Sequence, residues 1–101
     1  MKFDKLVRDR IPEIIAKGGK RAITHVAEPE EYEKRLREKL KEESAEFYAS
    51  GREEELADTL EVIYAICEAK GIPFARLEDI RKKKAQERGP FSKRIVLDGI
   101  E

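Results

Sequence analysis

The period of the apolar positions changes along the chain, and each change marks an element. Ile11, Ile14 and Ile15 share one face of a short helix, with Pro12 near its first turn, where a missing N–H costs nothing. Asp9 stands just ahead as a candidate N-cap, and Gly18-Gly19 stops the helix. Ile23, Thr24 and Val26 are β-branched and give residues 20–27 the character of a strand. Glu28-Pro29-Glu30-Glu31 opens a second helix, with proline and acids in its first turn, and Ser50-Gly51 breaks it after about Ala49. A third helix spans about Glu53 to Lys70 and ends at Gly71. Pro73 restarts a fourth, which runs to about Arg88 before Gly89-Pro90. Ile95-Val96-Leu97 is a second strand candidate, with Ile23 to Val26 as its partner. The pattern predicts one mainly α domain over residues 1–101. It is a bundle of about four helices with a short two-stranded β element.

Acids interrupt the apolar faces. The second helix carries Leu36, Leu40 and Phe47 on one stripe, and the stripe position between Leu40 and Phe47 is Glu43. Glu46 lies one turn further on nearly the same face. The third helix is apolar almost all round, through Leu56, Leu60, Val62, Ile63, Ile66 and Cys67, as a buried helix is. Glu55, Asp58 and Glu61 nevertheless recur along it at three-residue steps. Folding the chain about Ser50-Gly51 as an antiparallel hairpin sets Glu46 opposite Glu55 and Glu43 opposite Asp58. Carboxylates are rarely buried unless paired or bound to metal. Four converging carboxylates repel one another unless they take up protons or cations. Oxygen-only ligands favour hard ions, Mg²⁺ first and Mn²⁺ next, and the absence of Cys and His from the cluster argues against zinc. Glu61, one turn beyond Asp58, is an extra candidate ligand, or a partner for a ligating water or a basic side chain. Glu42, Glu53 and Glu54 read as solvated helix surface.

Charge and composition narrow the partners. Lys plus Arg number 22, Asp plus Glu number 22, and the formal net charge is zero, which excludes a globally basic nucleic-acid binder. The balance is a sum of separated parts, with acids gathered from Glu28 to Glu61 and bases from Lys5 to Arg10 and from Arg81 to Arg94. A hydrophobic share of 40% is enough for a core. No apolar stretch is long enough for a membrane span, and Met1 to Lys5 lack the apolar run of a signal peptide. One cysteine, Cys67, makes no internal disulfide, so the chain reads as cytoplasmic. About 100 residues bury only a modest core, and a third helix this apolar suggests that oligomerisation completes it.

Two acidic pairs, Glu43-Ser44-Ala45-Glu46 and Glu55-Leu56-Ala57-Asp58, carry a family likeness. So do two basic segments, Lys5-Leu6-Val7-Arg8-Asp9-Arg10-Ile11-Pro12 and Lys84-Ala85-Gln86-Glu87-Arg88-Gly89-Pro90-Phe91. With these in order along nearly its whole length, the chain resembles the MazG-like all-α nucleoside triphosphate pyrophosphohydrolases. That superfamily also holds the all-α dUTPases and phosphoribosyl-ATP pyrophosphohydrolase. Two departures stand out. The spacer from Glu46 to Glu55 is shorter than the family's usual one, and Pro90 stands where a second glycine is expected.

The resemblance implies Mg²⁺-dependent hydrolysis of a nucleoside triphosphate, non-standard or surplus ones included, to a monophosphate and pyrophosphate, in a house-cleaning role. Glu43, Glu46, Glu55 and Asp58 would be the metal ligands, with Glu43 or Glu46 as the general base. Lys5, Arg8, Lys84 and Arg88 would contact phosphate or substrate, with Asp9 a further candidate for base or sugar and Phe91 for stacking. It also implies a homodimer or homotetramer. His25 and Cys67 have no chemical role in this reading. The rivals are phosphoribosyl-ATP hydrolysis, a non-enzymatic helical interaction module, and a small nucleic-acid binder using the basic C-terminal patch.

Overall fold

Proline, acids and glycine set the helix ends. The computed structural model describes residues 4–101. In chain order it contains α1 (Ile11–Lys17), α2 (Pro29–Ser50), α3 (Glu53–Lys70) and α4 (Phe74–Arg88). Pro29 opens α2, followed by Glu30 and Glu31, and α3 opens on Glu53, Glu54 and Glu55, so both N-termini carry the charge their dipoles favour. Gly51 (φ 68°) and Gly71 (φ 67°) end α2 and α3 in the left-handed region, where a side chain is strained. The expected cap at Asp9 does not form. Arg10 holds the N-cap position of α1 with no side-chain cap bond, because the Ile11 N–H already closes a turn onto the Arg8 carbonyl at 3.0 Å.

With Gly51 and Arg52 as their only connection, α2 and α3 pack as an antiparallel hairpin, which is the body of the fold. Leu36, Val62 and Cys67 are its buried apolar residues, and no side chain among the described residues is fully enclosed. Phe74, at the start of α4, stacks on Tyr64 of α3 with ring centroids 4.2 Å apart and planes 27° apart, which ties α4 to the hairpin.

Two expectations are corrected. No strand forms among the described residues: 20–28 and 89–101 are irregular, and Ile23, Val26, Ile95, Val96 and Leu97 are exposed. A lone two-stranded ribbon is marginal in water, and neither segment has a helix face to lie on. Nor is α3 buried all round. Leu56, Leu60 and Tyr64, four residues apart on one stripe, are 51%, 44% and 44% exposed. The radius of gyration is 17.8 Å, against about 13 Å for a compact 100-residue domain. Among the described residues, no helix is long and apolar enough to cross a membrane.

Candidate metal centre

The hairpin delivers acids from both helices to one place. Glu43 of α2 and Glu55 and Asp58 of α3 each offer one carboxylate oxygen, and these oxygens all lie within 4.8 Å of one another. Glu43 and Glu55 are each only 8% exposed. Three-residue spacing puts Glu55 and Asp58 on one face of α3, and the short turn at Gly51 brings that face against Glu43.

Each acid leans on a base, and the pairing is incomplete. Lys39 Nζ lies 3.3 Å from Glu43 and 3.3 Å from Glu42. Arg52 donates to Glu55 at 2.8 Å, and Arg8 donates to Asp58 at 2.9 Å. Lys5 donates to Glu42 at 2.7 Å. Burial pushes the Glu42 carboxyl up, but Lys5 and Lys39 outweigh it and hold it below its ordinary value. Glu43 Oε2 is enclosed and has no hydrogen-bond partner among the described residues. A buried acceptor left unpaired costs about 1–3 kcal/mol, more when charged, and a proton or a cation would relieve it. All donors are carboxylate oxygens, a set that suits a hard divalent ion.

Glu46 falls outside the trio but not outside its field. It is exposed on the next turn of α2, and the charge of Glu43, then loss of hydration, then the charges of Glu55 and Glu42 raise its carboxyl above the ordinary 4.5. A raised value means the folded chain holds this proton more tightly than the unfolded chain. The stability it contributes is full below pH 4.5 and is lost as pH rises through the raised value. Glu31, Glu42 and Glu78 are shifted down, so their contributions change below 4.5 instead. The melting temperature of metal-free wild type, relative to Glu46→Gln, is therefore expected to fall as pH rises from about 4.5 towards neutral. A difference that stays flat across that range contradicts the repulsion.

A cleft of about 670 Å³ adjoins the acids, within the size range of small-ligand sites. Glu43, Asp58 and Glu61 line it, and the segment Leu6 to Arg10 forms another wall, which places Arg8 and Asp9 at the cleft. Lys5 stands beside the acids through Glu42. Lys84, Arg88 and Phe91 line no part of it, and Phe91 is 98% exposed. Lys39 was not singled out from the sequence, although its i,i+4 spacing to Glu43 was a signal for this pair. Tyr32 and Tyr64 were likewise not singled out. Comparison with family models, with curated proteins and with solved structures gives no match for this chain.

Proposed function

We propose that the chain is a Mg²⁺-dependent nucleotide pyrophosphohydrolase, converting a nucleoside triphosphate and water to a monophosphate and pyrophosphate. The observation that carries this reading is the buried trio Glu43, Glu55 and Asp58 with one unpartnered oxygen, opening on a ligand-sized cleft beside Arg8 and Lys39. The resemblance to MazG-like enzymes supplies the substrate class. Glu43, Glu55 and Asp58 would hold Mg²⁺ (or Mn²⁺), with Glu46 adjacent and Glu61 at the cleft wall. A bound divalent ion offsets phosphate charge and lowers the pKa of water.

The chain's own groups divide the remaining work. Glu43 is committed, with Lys39 on one side and burial on the other, whereas Glu46 is exposed and makes no ion pair among the described residues. Glu46 is therefore the better acceptor for the proton of an attacking water. Arg8 pairs bidentately with phosphate where lysine acts as a point charge, and Lys5 adds positive charge beside it. Lys84 and Arg88 enter the site only as residues supplied by a second copy.

The Arg8–Asp58 pair has a consequence of its own. A cation taken by Asp58 competes with the guanidinium, so Arg8→Ala is expected to raise Mg²⁺ affinity by up to about fivefold, the scale of an exposed ion pair. The same change should lower kcat/KM for a triphosphate, because the phosphate contact is gone. Calorimetry with Mg²⁺ and steady-state kinetics check the two halves separately, and a parallel loss of both contradicts this assignment.

The test of the function is product identity. A panel of NTPs and dNTPs with Mg²⁺ should yield equimolar monophosphate and pyrophosphate. Release of orthophosphate and a diphosphate, or no turnover of any nucleotide, contradicts the proposal. An interaction module has no reason to place acids inside its apolar stripe and predicts no metal effect on stability.

A further inference from the structure

The cleft has two chemically different ends. Because α2 and α3 run antiparallel, Glu43 and Asp58 mark one end and Tyr32 and Glu68 the other. At 1.5 Å per residue, Asp58 and Glu68 lie about 15 Å apart along α3. The first end is built of carboxylates and their bases. The second is built of Tyr32, Tyr64, Ala65 and Glu68.

At the aromatic end Tyr64 lies against the Phe74 ring, with centroids 4.2 Å apart, which braces it on one side. Tyr32 faces the same space from the first turn of α2. Stacking on tyrosine tolerates every base, because every base has a π-face. Selectivity must come from a polar group, and Glu68 is the charged one that α2 and α3 set at this end. Its carboxylate is exposed and makes no ion pair among the described residues, unlike Glu55 and Asp58. An ionised carboxylate only accepts hydrogen bonds. It accepts from an exocyclic amine and repels the carbonyl oxygen that replaces the amine in a deaminated base, where the remaining donor sits instead on the adjacent ring nitrogen.

Resting on the hydrolase reading above, we propose that the Tyr32–Tyr64–Glu68 end of the cleft holds the nucleobase and selects bases that carry an exocyclic amine. Adenine is then preferred to hypoxanthine, and cytosine to uracil. The assignment runs against a clearing role aimed at deaminated nucleotides.

The pairs ATP with ITP, and CTP with UTP, differ only at the amine edge, where a carbonyl replaces the amine and the adjacent ring nitrogen gains a proton. The full chain with Mg²⁺ is expected to favour the amine-bearing member by about tenfold in kcat/KM, the scale of one hydrogen bond to an exposed charged group. Glu68→Gln, whose amide serves either partner, should bring each ratio below about threefold with its melting temperature unchanged. Tyr32→Leu should weaken AMP and IMP alike by about tenfold, the scale of one lost stacking contact. Binding of AMP and IMP is measured by calorimetry in parallel, so the base preference is read even without turnover. Absence of all hydrolysis contradicts the enzyme, while AMP binding more tightly than IMP still supports the base site. Equal treatment of the pairs, ratios untouched by Glu68→Gln, or unchanged affinity in Tyr32→Leu each overturns the assignment. A preference for ITP and UTP overturns it too, and points to the donors of Arg10, which also lines the cleft.

Discussion

Glu43→Gln is expected to lower Mg²⁺-dependent nucleotide hydrolysis by about a thousandfold or more while leaving the metal-free protein as stable as wild type, or more so. The two halves come from one atom. Glutamine keeps the volume of the side chain, so the packing around it survives. It removes the negative charge that a divalent cation requires. It also removes a buried carboxylate oxygen that has no partner in the metal-free chain. Relieving an unsatisfied acceptor is worth about 1 kcal/mol or more, and in a domain of this size each kcal/mol moves the melting temperature by about 4–8 °C. Part of that gain is offset by the weakened contact to Lys39. Activity and stability therefore move apart, the signature of a group kept for function against the interest of the fold. Kinetics and thermal melts in EDTA read both. An unchanged rate, or a large drop in melting temperature with EDTA present, contradicts the account.

Leu60→Asp is expected to abolish assembly and to lower the melting temperature more than any other single change considered. Leu56 and Leu60 stand half exposed on α3, with Ile80 of α4 also half exposed, and the described chain encloses no side chain fully. We propose that a second copy of this chain covers Leu56, Leu60 and Ile80, leaving Tyr64 to the cleft. Burying a leucine contributes about 1.5–3 kcal/mol, and a two-fold interface counts each contact twice. A buried unpaired aspartate adds a further penalty. Wild type should sediment as a dimer or larger, with a melting temperature that rises with protein concentration. The variant should be monomeric and largely unfolded at micromolar concentration. A monomeric wild type with a concentration-independent transition contradicts the proposal.

What the sequence made legible was whatever local rules decide. Pro29 and the acids of the first turns, with Gly51 and Gly71, put the starts and stops of α2 and α3 where the chain places them. The vacancy that Glu43 makes in the stripe of α2, matched against Glu55 and Asp58, anticipated the trio. The remainder depended on neighbours that no local pattern names. Glu46 was expected to converge with the other three, but one turn at the end of α2 leaves it exposed beside them. Asp9 was expected to cap α1, and the Arg8 carbonyl closed the turn instead. The β-branched runs at Ile23 and Ile95 met neither each other nor a helix face, so strand propensity had nothing to act on. The apolar girth of α3 says how much surface seeks cover, and not whether its own chain provides it. Lys84 and Arg88 were chosen by likeness to a family pattern, and the folded chain does not bring them to the cleft.

The central claim is that Glu43, Glu55 and Asp58 form a divalent-cation site. Calorimetric titration of Mg²⁺ into metal-free wild type and Asp58→Asn, at equal protein concentration and neutral pH, tests it most directly. The account predicts saturable binding of at least one ion per chain in wild type, weakened by about tenfold or more in the variant. Isotherms that coincide, or no saturable binding in wild type, would contradict it.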